Sequence, residues 1–321
     1  MTATESVGER VRVTLTRPTF WVEWASVVGL VLLVVLFTAL DSTFLSAGNI
    51  RGMLLASAIL TILVVGQAFV ILTAGIDLSV ASVMTFAAVM FGLAMTHGYG
   101  ILLSCLVAFC AGAAVGLLNG VLVAKGRITD FIVTLGALSA ASGTALILSD
   151  GKPITVISAP LFELSAGSVG VVPYTFMIAL LIAVLAHVVL FKTKFGTHVL
   201  ATGGSVEAAQ ATGIRTTRIK IAVYAISGSL AGIAAILLVA RVGSAEPAAN
   251  MTFLLNSVAA VVLGGVSLFG GKGSIKGPIF GALLLTALSN GLTLLGVSQF
   301  YQPLAVGVVV VGAAFLTRFD K

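Results

Sequence analysis

Long apolar segments separated by shorter polar ones run through almost the whole chain. A helix needs about 20 mostly apolar residues to cross the hydrocarbon core of a membrane. Open strands would leave backbone groups unpaired in lipid, so the apolar segments are predicted to be helices. Ten segments meet this description, at about 22–40, 53–73, 78–96, 101–123, 131–148, 174–191, 221–240, 253–268, 278–295 and 301–317. The eighth is short and contains the pair Gly264-Gly265, so it is the least regular of the ten.

Composition supports the same fold class. Hydrophobic residues make up 59% of the 321 residues and charged residues only 9%, whereas soluble domains average about 25% charged residues. The sequence therefore predicts an all-α polytopic membrane protein with one transmembrane domain, residues 22–317. A cytoplasmic segment, residues 1–21, would precede this domain, and a cytoplasmic tail, residues 318–321, would follow it.

Lysine and arginine are distributed unevenly between the two sides that this arrangement defines. With the N-terminus placed in the cytoplasm, the inner segments hold 14 of the 17 basic residues, and the outer segments hold only Arg51, Lys152 and Arg241. This asymmetry is what the positive-inside rule predicts for ten spans with both termini in the cytoplasm. The net charge of +6 is therefore interpreted as a topology signal, and no nucleic-acid partner is expected.

One polar segment, residues 192–220, carries five of these basic residues and is predicted to lie in the cytoplasm. Its centre favours a short helix in which Ser205 is the N-cap and Glu207 complements the helix dipole in the first turn. Gly213 suits a left-handed stop at the other end. A helix of two turns is marginal by itself, so we expect it to dock on a partner.

The chain lacks the usual motifs of catalysis and nucleotide binding. The stretch around Gly271-Lys272 resembles a phosphate-binding loop, but Val266 replaces the first glycine and Gly273 replaces the Ser or Thr that would hold magnesium. The histidines are scattered, and no paired carboxylates occur within a predicted span. Neither an enzyme nor a metal protein is indicated, and no cofactor is expected in this chain.

Two aspartates lie at the edges of predicted spans. Asp77 is placed to cap the third helix, with a position in a translocation path as the alternative, and Asp130 suits the start of the fifth helix. Carriers driven by protons or sodium usually keep ionisable residues within the bilayer. Their scarcity here disfavours a secondary transporter and indicates that any transport takes its energy from elsewhere.

Glycines recur at four-residue spacing, which lets helices approach closely in lipid. The runs are Gly112-x3-Gly116-x3-Gly120, Gly228-x3-Gly232 and Gly273-x3-Gly277-x3-Gly281. Tight internal packing is the simplest interpretation, with a dimer interface or a moving seam as alternatives. The similar tripeptides 118–120 and 289–291 lie five helices apart, which would make them parts of an inverted repeat.

Several stretches together resemble a known family. The pattern Glu207-Ala208-Ala209-x3-Gly213 is similar to the coupling loop of ABC-importer permeases. Residues 74–80, 131–136, 201–204, 259–265, 290–292 and 295–298 resemble the ribose-type sugar permeases of that superfamily. Ala74, Ala81, Thr129-Asp130 and Asn256 depart from the family pattern, which puts any transfer of residue roles in the translocation path in doubt.

The resemblance implies the permease subunit of an ATP-driven importer in the bacterial cytoplasmic membrane. Its partners would be two ABC ATPase subunits, which bind ATP and magnesium, a second permease in a homodimer or heterodimer, and an extracytoplasmic solute-binding protein. The implied ATPase-coupling residues are Gly203, Gly204, Ser205, Glu207, Ala208, Ala209 and Gly213. The implied cargo is a pentose, a hexose or a similar small polyol.

Two further sets of candidates complete the prediction. A path with few charges suits a neutral polyol, and the polar candidates for it are Asp77, Asn119, Thr286, Ser289 and Asn290. Arg241, Lys152 and Arg51 are predicted to meet carboxylates of the binding protein, with anchoring to lipid headgroups as the alternative. Open alternatives for function are a secondary transporter, a membrane-embedded structural or enzymatic protein, and an ABC permease for nucleosides, signalling molecules or branched-chain amino acids.

Overall fold

A computed structural model describes the backbone of residues 18–317 and the side chains of residues 24–312. The predicted tail, residues 318–321, lies outside the described residues, as does most of the predicted N-terminal segment, whose last residues from Pro18 already belong to the first helix. Within this range the fold is mostly helical, which agrees with the predicted class.

The thirteen α-helices of the described range are α1 (Pro18–Leu40), α2 (Ala47–Leu72), α3 (Val80–Thr96), α4 (Gly100–Ala124), α5 (Asp130–Leu148), α6 (Ala159–Ala166), α7 (Tyr174–Lys192), α8 (Lys194–Gly204), α9 (Val206–Ala211), α10 (Thr216–Val242), α11 (Met251–Leu263), α12 (Lys276–Leu294) and α13 (Gln302–Thr317). Short 3₁₀ helices span Ser42–Leu45 and Gln299–Tyr301. Four two-residue strands are β1 (Ile154–Thr155), β2 (Ser168–Val169), β3 (Val172–Pro173) and β4 (Ser244–Ala245).

Six of the described helices are long and apolar enough to cross a membrane, namely α2, α4, α5, α7, α10 and α12. Four shorter apolar helices, α1, α3, α11 and α13, coincide with the other four predicted segments. The eighth segment is wrong at its C-terminal end, because α11 stops at Leu263 instead of Leu268. Gly265 adopts a left-handed conformation with φ +75° and thereby ends the helix, as a glycine after a helix C-terminus commonly does.

Helix α2 forms the centre of the bundle. Every residue from Ser57 to Leu72 is buried, and the helix packs against α7, α10, α11 and α12. A helix that is apolar on all sides lies in the core of a large protein or spans a membrane. In α2 the segment from Ser57 is enclosed by its neighbouring helices and does not face lipid.

Glycines form the contacts between the most closely packed helices, α4 and α10. A β-carbon on Gly112 would overlap the carbonyl oxygen of Gly228 and lie 3.0 Å from the backbone nitrogen of Gly232. On Gly120 it would lie 2.7 Å from the α-carbon of Ile221. The interpretation of these glycines as tight internal packing is confirmed. The same holds for α12, where a β-carbon on Gly281 would lie 3.0 Å from the α-carbon of Ala260 on α11.

The helix pairings recur with an offset of five predicted spans. The contact of α4 with α10 has its counterpart in α12 with α2, and the contact of α3 with α4 has its counterpart in α11 with α12. The pairs α3–α10 and α3–α5 likewise correspond to α11–α2 and α11–α13. This pattern agrees with the internal repeat that the two similar tripeptides predicted.

A pair of short strands joins two loops that were predicted to lie on the outer side. β1, in the loop after α5, pairs antiparallel with β4, in the loop after α10, with Ile154 opposite Ala245 and Thr155 opposite Ser244. The backbone N–H of Val156 adds a hydrogen bond to the carbonyl of Gly243 at 2.9 Å. The strand pair lies against α3, where a β-carbon on Gly92 would be 3.1 Å from that of Ala245.

Candidate functional site

The polar segment 192–220 is folded into two helices, α8 and α9, where the sequence predicted one. The predicted helix is α9, and its details are confirmed: the Ser205 side chain accepts a hydrogen bond from the N–H of Ala208 at 3.1 Å, and Gly213 is left-handed with φ +85°. The N–H of Ile214 donates to the carbonyl of Ala209 at 3.0 Å, which completes the helix stop.

Helix α8 was missed, although two signals for it exist. Thr193 is its N-cap and accepts a hydrogen bond from the N–H of Gly196 at 3.3 Å. Phe195 and Val199, four residues apart, both belong to or pack against the core. The glycines at 196, 203 and 204 obscured this pattern, since glycine usually weakens a helix.

The candidate coupling residues do not all face the same way. Gly204, Glu207, Ala208 and Gly213 are exposed, whereas Gly203 and Ala209 are buried. The Ser205 hydroxyl also donates to the Glu207 carboxylate at 3.1 Å. The exposed residues form an accessible surface, and the buried ones hold that surface onto the rest of the fold.

Gly203 lies where three segments meet, and we call this contact the glycine junction. It joins residues 72–74 at the end of α2, residues 203–204 at the end of α8, and residues 270–271 in the loop after α11. The N–H of Gly271 donates to the carbonyl of Leu72 at 3.0 Å. A β-carbon on Gly203 would overlap that carbonyl oxygen and lie 2.5 Å from the nitrogen of Gly271. The contact at Gly203 is thus made by backbone atoms of Leu72 and Gly271.

Beyond the junction, residues 73–79 leave the helical conformation and turn back into the bundle as the Asp77 loop. Asp77 is only 2% exposed. Its Oδ1 accepts hydrogen bonds from the N–H of Ser79 at 2.9 Å and from the Ser79 hydroxyl at 2.6 Å, and its Oδ2 accepts one from the Ser227 hydroxyl at 2.9 Å. The carboxylate thereby ties the loop to α10.

This geometry corrects the expectation that Asp77 caps the third helix. The N-cap residue is Ser79, and α3 begins at Val80 instead of Leu78. Asp77 accepts a hydrogen bond from the backbone N–H of Ser79, and this residue precedes the first turn of α3. The carboxylate forms hydrogen bonds within the loop and to α10, because α10 places Ser227 directly beside it.

Asp130 also serves the Asp77 loop. It is the first residue of α5, as predicted, and its Oδ2 accepts a hydrogen bond from the N–H of Ile76 at 2.9 Å. The carbonyl of Ile76 in turn accepts from the hydroxyl of Tyr224 on α10 at 3.1 Å. Buried backbone groups need such partners, and here side chains of α5 and α10 supply them.

The predicted path residues fall into two separate hydrogen-bonded groups. Asn119 is 1% exposed and donates from Nδ2 to the Ser79 hydroxyl at 2.9 Å, which joins it to Asp77. Asn290 instead exchanges two hydrogen bonds with Asn49 on α2, each of 2.9 Å. Thr286 donates to the carbonyl of Ala282 in its own helix, and Ser289 is half-buried on the same helix.

We expect the pair formed by Asn49 and Asn290 to contribute about 1 kcal/mol, since side-chain hydrogen bonds between membrane helices average about 0.6 kcal/mol and reach about 1.7. Asn49→Ala, Asn290→Ala and the double variant form a double-mutant cycle. Thermal stability in detergent is the measurement. The effect of the double variant should be smaller than the sum of the single effects, and strict additivity would contradict the pairing.

The three basic residues of the predicted outer side differ in their surroundings. Arg241 belongs to the last turn of α10, although the sequence placed it in the following loop. The helix extends further because left-handed Gly243 is the residue that ends it. Arg51 donates to the backbone carbonyl of Ala166 at the end of α6, so it supports the fold. Lys152 is exposed, and with Arg241 it remains a candidate for contact with a partner.

Apolar helices of spanning length around a buried central helix define this chain as an integral membrane protein. A family described as branched-chain amino acid transport system / permease component matches residues 49–317. The chain therefore belongs to this family of transport permeases.

The individual relatives are permease proteins of transport or import systems. The chain is 35% identical to the ribose import permease protein of Haemophilus influenzae over 94% of each chain. It is 35% identical to the L-arabinose ABC transporter permease protein of Azospirillum brasilense, over 89% of this chain and 86% of the relative. It is 34% identical to the autoinducer 2 import system permease protein of Salmonella typhi, over 90% and 84%. No solved structure matches the chain.

Proposed function

We propose that this chain is the permease subunit of an ATP-driven ABC importer that moves a sugar or a similar small polyol across the membrane. The observation that carries this proposal is the likeness to import permeases for ribose and L-arabinose along nearly the whole of both chains. The sugar class predicted from sequence motifs agrees with these relatives. An importer for a sugar-like signalling molecule is a variant of the same function, since an autoinducer 2 permease is similar as well.

The proposed topology has ten spans with both termini in the cytoplasm. Ten apolar helices in the described residues correspond to the ten segments, and the placement of 14 basic residues on the inner side supports the orientation. α8, α9 and the glycine junction then lie at the cytoplasmic side. The paired strands β1 and β4 lie at the outer side.

The proposed partners are those that the likeness to ABC sugar permeases implies. Two ATPase subunits supply ATP and magnesium binding and dock on the exposed face of α9, which includes Glu207 and Ala208. A second permease completes the membrane part, as a homodimer or a heterodimer. An extracytoplasmic binding protein delivers the cargo to the outer side, where Arg241 and Lys152 are the proposed contacts.

The contacts within the fold indicate how movement of the ATPases would reach the membrane interior. When ATP binding closes the ATPase dimer, α9 is displaced together with α8, because the two helices follow each other directly. The end of α8 contacts the end of α2 at the glycine junction. From there the chain continues into the Asp77 loop, whose carboxylate is bonded to α10. Alternating access is the mechanism we propose for this relay.

Reconstitution tests the function. The permease, its ATPase subunits and the binding protein are placed in proteoliposomes, and uptake of labelled ribose and arabinose is followed with ATP, without ATP, and with a protonophore. Uptake that needs ATP and the binding protein but resists the protonophore is the expected result. Uptake that stops with the protonophore and ignores the ATPase would identify a secondary transporter instead.

The role of α9 has its own test at Gly213. Its φ of +85° is left-handed, a conformation that asparagine tolerates but that is a genuine outlier for a β-branched residue. Gly213→Val should therefore distort the end of α9 and lower the amount of ATPase that copurifies by about tenfold, whereas Gly213→Asn should retain most of it. Equal copurification with both variants, at equal permease yield, would count against docking through α9.

A further inference from the structure

A cavity of about 320 Å³ lies on the proposed outer side of the membrane domain. It is bounded by α3, by the end of α10, by the β4 segment and by the start of α11. Its lining residues are Met84, Thr85, Ala88, Leu238, Val239, Val242, Ser244, Glu246, Ala248, Asn250 and Phe253. Small-molecule sites are concave, mostly apolar and hold a few placed polar groups, with volumes of about 300–1,000 Å³. The volume of this cavity suits a small ligand.

One hydroxyl in the cavity has no partner within the described part of the chain. Thr85 has only 4% of its surface exposed and lines the cavity, and its Oγ1 makes no hydrogen bond to another described residue. Threonines in helices usually donate to a carbonyl of the preceding turn, and Thr96 and Thr134 do so at 3.0 and 2.8 Å. The Oγ1 of Thr85 is not among the fully buried atoms that lack a partner, so the hydroxyl is accessible from the cavity and can form a hydrogen bond to a ligand there.

Two further polar groups line the cavity, each only partly engaged. Glu246 uses Oε1 to accept a hydrogen bond from the Ser244 hydroxyl at 2.7 Å, which leaves Oε2. Asn250 uses Oδ1 to accept from the N–H of Thr252 at 3.0 Å, which leaves its amide nitrogen as a donor. The cavity thus offers a carboxylate acceptor, an amide donor and a hydroxyl that acts as either.

The charge of the lining decides the class of ligand. Glu246 is the only charged residue among those that line the cavity, and neither lysine nor arginine is present there. An amino acid or a sugar phosphate would bring a negative group without a cation to meet it and with a carboxylate nearby. A neutral compound with several hydroxyls pairs with all three groups, and Phe253 offers an apolar ring to its carbon face.

We propose that this cavity is the site on the permease that receives a neutral polyhydroxylated cargo after its release from the binding protein. Thr85, Glu246 and Asn250 hydrogen-bond the hydroxyls of the cargo. The inference rests on the proposed import function and adds the place and the chemistry of the first binding step within the membrane domain. None of Asn119, Thr286, Ser289 and Asn290 belongs to this cavity.

Paired variants at Thr85 test the proposal in reconstituted transporters. Thr85→Val has the same shape but no hydroxyl, and Thr85→Ser keeps the hydroxyl. Loss of one hydrogen bond to the cargo is expected to lower ribose or arabinose uptake by about threefold to tenfold in Thr85→Val, whereas Thr85→Ser should stay within twofold of the unmodified protein. The amount of ATPase subunit that copurifies with the permease should be equal for both variants, which checks that each is folded and assembled.

A second measurement guards against misfolding of these variants. Thr85→Cys, in a background with Cys105→Ala and Cys110→Ala, is treated from outside with a small membrane-impermeant thiol reagent. Labelling of the introduced cysteine is expected. When the transporter is trapped in its complex with sugar-loaded binding protein, the rate of labelling should fall at least threefold. Labelling at an unchanged rate in that state, or no labelling at all, would overturn the proposal.

The outcomes distinguish a failure of the cavity proposal from a failure of the proposed import function. If the unmodified complex shows no ATP-dependent sugar uptake, the proposed function fails. If the unmodified complex transports sugar and Thr85→Val matches Thr85→Ser, the function stands and the cavity is not the receiving site. A fall in Thr85→Val uptake together with sugar protection of the cysteine supports both.

Discussion

Replacing Gly203 with alanine is expected to destabilise the protein by about 3 kcal/mol and to abolish sugar uptake. The added β-carbon would overlap the Leu72 carbonyl oxygen and crowd the nitrogen of Gly271. Both neighbours are backbone atoms, which cannot rotate away, so the cost lies at the upper end of the range of about 1–3 kcal/mol for overpacked sites. The junction would open, and α8 would lose its contact with the end of α2.

The next residue provides a matched control. Gly204 lies in the same last turn of α8, yet a β-carbon there would meet nothing within 4 Å. Fluorescence-detected size-exclusion chromatography after heating gives the thermal midpoint of each variant in detergent. Gly203→Ala should lower this midpoint by roughly 5 °C, and Gly204→Ala should leave it nearly unchanged. Equal midpoints would show that the glycine junction does not hold the fold.

Removing the Asp77 carboxylate is expected to have an effect of similar size, about 3 kcal/mol, for a different reason. Asp77→Ala leaves the N–H of Ser79 and the hydroxyls of Ser79 and Ser227 without their acceptor in a buried place. Each unpaired buried group costs about 1–3 kcal/mol, although a hydroxyl recovers part of this by rotating. The loop would detach from α10, and uptake should fall below detection.

The variant Asp77→Asn distinguishes the anchoring of the loop by hydrogen bonds from a role of the negative charge in translocation. The amide oxygen still accepts from Ser79, and the Ser227 hydroxyl can accept from the amide nitrogen, so we expect a loss of only about 1 kcal/mol with most of the uptake retained. The thermal midpoint and the uptake rate of both variants are measured together. Loss of uptake in Asp77→Asn at an unchanged midpoint would contradict the anchoring role and favour a direct role of the charge in translocation.

The helical segments and their order could be predicted from the sequence because burial in lipid imposes a strong apolar signal. The ends of the helices were harder to predict from the sequence. α2 begins at Ala47 instead of Met53 because Ser46 caps it, with its side chain accepting from the N–H of Asn49. α11 ends early because Gly265 turns the chain. The sequence signal of a helix cap or stop is weaker than the signal of the hydrophobic pattern around it.

The candidate site could be predicted only where it is local in sequence. The α9 cap and stop depend on residues a few positions apart, and both were found. One hydrogen-bond partner of Asp77 is Ser227, which lies 150 positions away, and the partner of Asn290 is Asn49. Single residues at such distances leave no pattern, so Asp77 was taken for a cap and the pairing of Asn290 with Asn49 was not predicted.

The glycine junction and the cavity show the same limit. Gly203 was selected as a coupling residue, but its contact with Leu72 and Gly271 arises from three segments that only the fold brings together. Thr85 carries no sequence signal, since it is one apolar-flanked threonine among several. Its significance depends on its position in the lining of the cavity, which only the fold shows.

The pairing of β1 with β4 limits how the importer can open. These strands belong to the loops after α5 and after α10, which come from the two halves of the predicted repeat. Main-chain hydrogen bonds join the two loops directly. Rocking the halves apart within one subunit would have to break these bonds first. In the proposed pair of permease subunits, the outward gate is therefore better placed between the subunits.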